Sequence, residues 1–469
     1  MKNLFAGTLI PGVLALIGVV AIVLWSNVGP VGPLEARVPG LDRPKVADTQ
    51  AELKPLVGKL TKFAAAAPAA PVLPGAWPGF RGNRFDGIAE PGVPLARQWP
   101  AAGPAVLWSI GLGEGHAGAA VWNGRVFVLD YDRNASADAL RCFTLATGTE
   151  LWRFAYPVAI KRNHGMSRTV PAVTDKYIVA LGPKCHVSCL NPTTGELYWL
   201  IDLVRQFGAT VPPWYAGQCP LIDGERAILA PGGSALLVAL DCRTGKVVWK
   251  SPNPRAWTMT HASIMPMEFA GKRMFVYCGK GGVAGVSADD GSILWDTTDW
   301  KISIATVPSP VILPGGRIFL SGGYNSGAMM LQLERSKDKI VAKTLYKLGA
   351  GVFGSTQHTP IFYQGHLYGV REKDKQFVCL DPDGRVLWSS GSQHRFGLGP
   401  YLIADGLIYV LNDEGRLTLA EATAKGYRQL AQAQVLAGPD SWGAMALVAG
   451  RLLARDSTRM VCLEVMKKP

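Results

Sequence analysis

The sequence predicts an all-β fold, an eight-bladed β-propeller of four-stranded antiparallel blades, preceded by an N-terminal transmembrane helix and a flexible tether. Three observations support this prediction. A turn that leads into tryptophan recurs along the chain, eight short hairpin turns recur at a similar spacing, and the two chain ends each hold part of one repeat. A period of about 40 to 50 residues indicates one supersecondary unit that is copied many times.

The first repeated element is a Thr-Gly or Asp-Gly turn that runs into an aromatic strand. A large flat side chain there can fill the wedge between neighbouring blades, since one blade cannot bury both of its faces alone. Two units keep the spacing but place Tyr346 and Tyr427 where tryptophan would stand. The clearest copies are Leu145–Trp152, Leu190–Trp199, Leu240–Trp249, Val286–Trp295 and Leu380–Trp388. The structural tryptophans are Trp108, Trp152, Trp199, Trp249, Trp295 and Trp388.

The second repeated element is a hairpin turn followed by an apolar strand. Most of these turns are two-residue loops in which Gly, Asn or Asp accepts a positive φ. Eight turns with eight following strands predict eight blades. The turns are Asn123-Gly124, Asp175-Lys176, Asp223-Gly224, Ala270-Gly271, Gly315-Gly316, Gln364-Gly365, Asp405-Gly406 and Ala449-Gly450.

The two chain ends predict how the ring closes. Val106–Trp108 resembles the last strand of a blade but lacks the strands that should precede it. Met460–Leu463 supplies such a strand but lacks the tryptophan strand that should follow. One blade would therefore be built from both ends, which closes the ring and removes free sheet edges.

Three regions are predicted, namely residues 1–25, 26–76 and 77–469. Leu4–Trp25 carries no charge and is long enough to cross a bilayer core of about 30 Å, so it is predicted to be a membrane anchor. A cleaved signal segment is the competing interpretation. Residues 26–76 have the Pro and Ala content of a linker. The spacing of leucines within Asp48–Phe63 predicts a short helix there.

Composition indicates what kind of partner the protein favours and what role its cysteines have. The net charge of +13 favours anionic surfaces, and no helix-turn-helix, zinc-finger or RNA-binding signature argues for nucleic acid. Cys142, Cys189, Cys379 and Cys462 occupy equivalent strand positions and are interpreted as small buried side chains. The other four, Cys185, Cys219, Cys242 and Cys278, leave one disulfide open as an alternative.

Histidines recur where the chain enters the innermost strand of a unit. In a propeller these segments converge on one mouth of the central channel, so a polar funnel is predicted. The alternatives are side chains that only satisfy loop backbone, a ligand or partner site, and a metal site. The candidate residues are His116, His164, Arg168, Gln218, His261, His358, His394 and Arg395, with Trp214 and Tyr215 entering nearby.

The chain resembles the PQQ-like repeat propellers, the family of the assembly scaffold BamB and of quinoprotein alcohol dehydrogenases. The Thr-Gly-x-x-x-Trp element and the lead-in Trp77–Gly87 carry this resemblance. It implies an eight-bladed propeller and a location outside the cytoplasm, on the periplasmic side. It does not imply a cofactor. The enzymes of the family typically stack PQQ against an adjacent Cys-Cys disulfide and hold Ca²⁺ with acidic ligands, and this chain has no adjacent cysteine pair.

These observations favour a membrane-tethered binding or scaffold module for protein partners over an enzyme. No catalytic residue and no metal ligand is predicted, because no nucleophile, zinc or phosphate-loop motif occurs. The alternative is a PQQ-dependent oxidoreductase with PQQ and Ca²⁺ in the axial funnel.

Overall fold

A computed structural model describes residues 2–27, 56–63, 72–90, 92–337 and 339–467. The chain divides into two units, residues 1–41 and 42–469. In the first unit, Lys2–Asn27 forms helix α1. Within the described residues, no helix meets the length and apolarity needed to cross a membrane, a finding that does not support the transmembrane helix predicted over Leu4–Trp25.

The second unit holds eight antiparallel sheets of four blade strands each, which confirms the predicted blade number. Two sheets carry one additional strand. The only regular helix in this described unit is α2, Leu203–Phe207, and a 3-10 turn covers Pro314–Gly316.

The strands of blades 1 to 4 run from the innermost to the outermost in chain order. They are β4 (Ala120–Trp122), β5 (Arg125–Asp132), β6 (Ala137–Thr144) and β7 (Glu150–Pro157); β8 (Ala172–Val173), β9 (Ile178–Leu181), β10 (His186–Leu190) and β11 (Leu197–Asp202); β12 (Leu221–Asp223), β13 (Arg226–Leu229), β14 (Val238–Asp241) and β15 (Val247–Lys250); β16 (Met265–Phe269), β17 (Lys272–Gly279), β18 (Gly282–Ser287) and β19 (Ile293–Thr297).

Blades 5 to 7 follow the same order, and blade 8 takes its outermost strand from the N-terminal side of the chain. The strands are β20 (Val311–Leu313), β21 (Arg317–Gly322), β22 (Gly327–Ser336) and β23 (Lys339–Leu348); β24 (Ile361–Tyr363), β25 (His366–Val370), β26 (Phe377–Leu380) and β27 (Val386–Ser389); β28 (Tyr401–Ala404), β29 (Leu407–Leu411), β30 (Arg416–Glu421) and β31 (Gln429–Gln434); β32 (Ala446–Val448), β33 (Arg451–Arg455), β34 (Arg459–Glu464) and β3 (Ala105–Gly111).

Blade 8 closes the ring. Strand β3 pairs antiparallel with β34, with Trp108 opposite Cys462. The first and last strands of the propeller thus share one sheet, as the complementary chain ends predicted. This pairing places β34 inside the sheet and makes β3 its outermost strand.

The region before the blades contains a strand where a helix was predicted. Residues 48–55 lie outside the described residues, and the prediction is wrong over Lys59–Lys62, which forms β1. Strand β1 pairs antiparallel with the outer edge of β7, with Leu60 opposite Phe154. Leu60 packs on the core between blades 1 and 2, so backbone pairing and apolar burial together outweigh a short isolated helix.

The lead-in Trp77–Ala89 crosses the inside of the ring. Trp77 exchanges two backbone hydrogen bonds with Val121 of blade 1, at 2.8 and 2.7 Å. The Arg81 guanidinium donates to the carbonyls of Thr359 (2.8 Å) and Pro360 (2.9 Å) in blade 6. Strand β2 (Ile88–Ala89) then pairs in parallel with β28 of blade 7. This segment ties opposite sides of the ring together.

Neighbouring blades are joined by an aromatic ring that lies on a glycine. The outermost strand of one blade presents the ring, and the glycine belongs to the Thr-Gly or Asp-Gly turn of the next blade. A Cβ added to that glycine would lie within 3.0 Å of the ring, so only glycine allows the contact. The pairs are Trp108–Gly148, Trp152–Gly195, Trp199–Gly245, Trp249–Gly291 and Tyr346–Gly384.

The residue that pairs with each aromatic residue across the sheet of its own blade is small where the aromatic residue is tryptophan and larger where it is tyrosine. Cysteine, alanine or glycine faces every one of the six tryptophans, whereas Met330 faces Tyr346. Close packing explains this pattern, because two large side chains would not fit between two blades. The tryptophan partners are Cys462, Cys142, Cys189, Ala239, Gly285 and Cys379. None of the eight cysteines, all of which lie in the described residues, forms a disulfide, so the alternative of one disulfide is wrong, and all eight are buried.

Blade 7 departs from the sequence prediction. Register places Ala431, opposite Leu419, at the position that tryptophan holds elsewhere. Tyr427, which the spacing assigned to that position, instead precedes β31 and packs on Trp388 of blade 6 with ring centroids 5.9 Å apart. The prediction failed because the turn in this blade differs in length, so counting from the turn shifted the register.

The ring-on-glycine contact makes a direct prediction for Gly245→Ala. Both Gly245 and Gly224 of blade 3 have positive φ, 71° and 62°, but only a Cβ on Gly245 would meet the Trp199 ring, at 2.8 Å. Each alanine variant should lose about 1 kcal/mol for the left-handed backbone. Gly245→Ala should lose a further 1–3 kcal/mol or so from overpacking.

Chemical unfolding of the two variants side by side measures this difference. Gly224→Ala is the matched control, because nothing lies within 4 Å of its added Cβ. Equal losses in the two variants would show that the contact between blades contributes nothing measurable.

Candidate functional site

The segments that enter the innermost strands converge at one end of the ring axis and enclose a cavity of about 350 Å³. Antiparallel alternation places the loops before the innermost strands on this face and the Thr-Gly turns on the other. The cavity is lined by Phe80, His116, His164, Arg168, Val170, Trp214, Gly217, Cys219, His261, Ser263, Ala305, Val307, Tyr324, Gln357, His358, Trp442 and Ala444.

The lead-in segment supplies a wall of the cavity from inside the ring. Phe80 lines the cavity, while Gly79 and Arg81 on either side of it contact blades 2 and 6. The segment reaches this position past the opposite face, where Val72 lies 3.3 Å from a Cβ added to Gly124. The cavity is therefore a pocket with its floor on the lead-in.

Five of the eight predicted funnel residues line the cavity, namely His116, His164, Arg168, His261 and His358. The other three do not. Gln218 is fully buried and bonds the backbone of Ala230 through both amide atoms, at 3.3 and 2.9 Å, so it has a structural role. The other two, His394 and Arg395, lie in a turn that does not line the cavity.

That turn precedes β28 and holds His394 and Arg395. The His394 ring packs on Tyr427, with centroids 5.1 Å apart, on the outer side of blades 6 and 7. Arg395 pairs with Gln376 through an isolated backbone bridge and is exposed. Position before an innermost strand was thus a sound guide to the correct face, but it did not fix which way each side chain points.

Arg168 is the permanent cation of the lining. Its Nε donates to the Trp214 carbonyl at 2.6 Å, and its Nη2 donates to the carbonyls of Asn163 and His164, both at 2.8 Å. No carboxylate among the described residues forms an ion pair with it. Burial lowers the pKa of Arg168 to about 10, so the side chain stays charged at neutral pH.

Three histidines of the lining are neutral at pH 7. Burial first, and then the charge of Arg168, lowers the pKa of His116 to about 3 and that of His261 to about 4. Burial is also the main cause that lowers the pKa of His358 to about 4. These imidazoles can therefore donate or accept hydrogen bonds, but they are weak bases at neutral pH.

Two of these rings carry a nitrogen without a partner in the described part of the chain. His116 Nε2 lies 3.0 Å from the His164 carbonyl, so it must carry the proton, which leaves Nδ1 as an unpaired acceptor. His358 Nε2 is likewise buried and unpaired. Buried polar atoms without partners are rare and usually mark a functional or hydrated position.

Strained backbone holds the mouth of the cavity. Trp214 and Tyr215 are consecutive non-glycine residues with positive φ, 63° and 71°. Each such residue costs about 1–3 kcal/mol, and strain of this kind clusters at functional sites. The strained pair places the Trp214 ring 6.4 Å from the ring of His261 and its carbonyl on Arg168.

Sequence reasoning named Trp214 but missed the other three aromatic residues of the lining. Trp442 packs on His116, with ring centroids 5.1 Å apart, and it precedes an innermost strand as the histidines do. A search of those segments for aromatic as well as polar residues would have found it. Phe80 and Tyr324 carried no such signal, because one lies in the lead-in and the other in a turn of blade 5.

The donor set does not fit a calcium-quinone site. Ca²⁺ requires six to eight converging oxygen ligands, usually including carboxylates. The lining contains neither Asp nor Glu, and within the described residues no group of three or more His, Cys, Asp or Glu could hold a metal ion. The lining also has no disulfide against which a flat quinone could stack.

Comparison with known proteins places this propeller in a family. A family model described as "outer membrane protein assembly factor BamB" matches residues 136–383, more than half of the chain. The chain belongs to this BamB family of PQQ-like repeat propellers. No curated protein sequence matches it.

Solved structures resemble this BamB-family chain in fold. BamB from Moraxella catarrhalis is 14% identical to this chain and superposes with a TM-score of 0.55. The alignment covers 77% of this chain and 99% of that chain. The computationally designed Ika8 protein is 11% identical and superposes with a TM-score of 0.50. The alignment covers 76% of this chain and 99% of that chain. The quinohemoprotein alcohol dehydrogenase of Comamonas testosteroni is 11% identical and superposes with a TM-score of 0.46. The alignment covers 84% of this chain and 81% of that chain. At these identities, BamB from Moraxella catarrhalis and Ika8 show a shared fold alone.

The neutral histidines of the BamB-family cavity predict a pH dependence of stability. A histidine whose pKa falls from 6.5 to about 4 on folding binds fewer protons in the folded state between these values. The free energy of unfolding should therefore fall as the pH is lowered from 6.5 toward 4, by up to about 1.4 kcal/mol per pH unit for each histidine. Urea unfolding at several pH values measures this slope.

His358→Gln should flatten this slope. Asp138 acts in the opposite sense, since burial raises its pKa to about 7 and stability falls as the pH rises from about 4 to 7. The comparison of variant with wild type, rather than the wild-type curve alone, therefore isolates the histidine. An unchanged slope in His358→Gln would contradict a neutral buried imidazole at this position.

Proposed function

We propose that this BamB-family protein is a non-catalytic binding or scaffold module, and that it recognises a protein partner with the face that carries the axial cavity. The observation that carries this proposal is the composition of the lining. It offers aromatic rings, one cation and neutral imidazoles for recognition, but no group prepared to act as a nucleophile, a strong base or a metal ligand.

The titratable groups of the lining support a non-catalytic role. Histidines with a pKa of about 3 to 4 are poorly matched to proton transfer near neutral pH. Burial raises the pKa of the Cys219 thiol to about 11, so the thiolate needed for nucleophilic attack is scarce. No carboxylate of the lining could act as a base in their place.

The geometry of this face supports a protein partner. The cavity lies at the centre of a rigid disc, and turns such as the one that carries Tyr324 surround its mouth. Loops on a rigid scaffold are favoured positions for recognition. The net charge of +13 favours a partner with an acidic surface. The family description as an assembly factor agrees with this role.

The alternative, a quinoprotein oxidoreductase, receives less support from these residues. A bound PQQ would supply redox chemistry, but the lining lacks carboxylate ligands for Ca²⁺ and a carboxylate base beside the quinone. We propose that the protein holds no PQQ. Titration with PQQ should then give no stoichiometric change in absorbance that depends on Ca²⁺, and tight Ca²⁺-dependent binding would favour the oxidoreductase.

Location outside the cytoplasm and attachment to a membrane through residues 1–25 stay proposals from the sequence. The uncharged stretch Leu4–Trp25 and the family resemblance motivate them. Fractionation of cells that express the full chain, or a chain without residues 1–27, tests both proposals. Recovery of the full chain in the cytoplasmic soluble fraction would count against them.

A charge reversal at the mouth should disrupt partner capture. His164 is an exposed residue of the lining, and His164→Glu would place a carboxylate beside the cavity. We expect cross-linked capture of the partner to fall about tenfold, because an acidic partner would meet a like charge. Quantitative mass spectrometry after affinity purification measures the capture.

Lys246→Glu is the matched control. Lys246 is exposed in the Thr-Gly turn of blade 3, on the opposite face of the disc. Capture should persist in this variant, and both variants should keep the wild-type melting temperature. An equal loss in the two variants, or no specific partner of the wild-type chain, would refute recognition by the cavity face.

A further inference from the structure

We propose that the axial cavity binds one carboxylate group attached to an aromatic ring, and that it does so without a metal ion. This inference rests on the proposed binding function of the same site and names the chemistry that the site recognises. It also accounts for the misfit between the lining and a calcium-quinone site.

The charge of the lining is the first argument. Arg168 is its permanent cation, and no Asp or Glu appears among the lining residues. Arg81 and Arg455 are also bonded to backbone carbonyls, but they lie inside the protein, at 9% and 1% exposure, and do not line the cavity. Arg168 is therefore the buried arginine whose charge faces the cavity, and an anion would compensate it.

The fixed position of Arg168 is the second argument. Carbonyls of Trp214, Asn163, His164 and Gly165 accept from its Nε and Nη2 at 2.6–3.2 Å. Carbonyl dipoles orient the guanidinium but leave its net charge in place. Nη1 has no hydrogen-bond partner among the described residues and is the donor left for a carboxylate, and a guanidinium that is already oriented loses less freedom when it binds one.

The imidazoles add polar contacts without adding charge. His116 presents Nδ1 as an acceptor, because its Nε2 proton lies on the His164 carbonyl. His358 Nε2 is the second unpaired atom of the lining. It can be a donor or an acceptor, depending on the tautomer of the ring. Both nitrogens are buried, so they mark polar positions beside Arg168 and are not assigned as contacts of the ligand.

The aromatic walls define the rest of the ligand. Trp214 and Trp442 line the cavity beside His261 and His116, and Phe80 lies at its floor. A volume of about 350 Å³ is at the lower end of small-molecule sites. One or two fused rings therefore suit this space better than a long flexible chain does.

The test compares 2-naphthoate with its neutral analogue 2-naphthamide, using the full chain in calorimetry and tryptophan fluorescence quenching. Naphthoate should bind about tenfold to a hundredfold more tightly, as expected for a charge-assisted hydrogen bond. EDTA should leave its affinity unchanged. Equal binding of the two probes, no binding of naphthoate at millimolar concentration, or a requirement for Ca²⁺ would overturn the proposal.

Variants at Val307 keep the test independent of the Arg168 clamp, whose loss could unfold the loop. Val307 lines the cavity and is only partly buried. Val307→Asp should weaken naphthoate about tenfold, because it supplies the missing carboxylate, whereas Val307→Asn should change the affinity less than about threefold. Equal losses in these two variants would show that charge does not govern binding.

Partner capture by the same preparations separates this inference from the proposed function. If His164→Glu still lowers capture about tenfold while naphthoate fails to bind, only the carboxylate inference is wrong. If naphthoate binds as expected but no partner is captured, the scaffold proposal is wrong and a small-molecule binding protein remains.

Discussion

The contact between an aromatic ring and a glycine of the next blade is the constraint on which the rest of this structure depends. A ring such as Trp199 can approach the turn of the next blade only where Gly245 leaves the space of a side chain empty. The same ring requires a small residue opposite it in its own blade, such as Cys189. Because five of the eight blade interfaces repeat this arrangement, local packing contributes to the wedge angle that closes the ring.

The closed ring in turn determines the site. Segments that are far apart in the sequence meet at the axis because every innermost strand begins on the same face. Two ties hold this geometry, the sheet shared by β3 and β34 and the lead-in that joins blade 1 to blades 6 and 7. A scaffold held in this way can maintain strained backbone at Trp214 and an arginine without a carboxylate partner at the cavity.

The repeated turns predicted the fold well because each turn reports on its own blade. Periodicity gave the blade number and the closure by Trp108 and Cys462, since both follow from counting units. It failed at Tyr427, where a turn of different length shifts the register, and at Lys59–Lys62, whose pairing with β7 depends on a distant strand. Neither contact leaves a local signal in the sequence.

The repeat also predicted part of the site, because the position of a residue within its repeat determines which face of the ring it reaches. Position before an innermost strand identified five lining residues, including Arg168 and His261. It also selected Gln218 and His394, because a segment can reach the correct face while its side chain turns toward the protein interior or the outer rim. Phe80 could not be found from periodicity, since the lead-in belongs to no repeat.

The floor that the lead-in provides has a consequence for the order of events at this protein. The mouth of the cavity, on the face that carries Trp214 and Tyr324, is the route by which a group from solution would reach it. A macromolecule seated over that face would cover the route. If the proposed ligand and the proposed partner both bind, a ligand that enters by this route would have to arrive before the partner and leave after it.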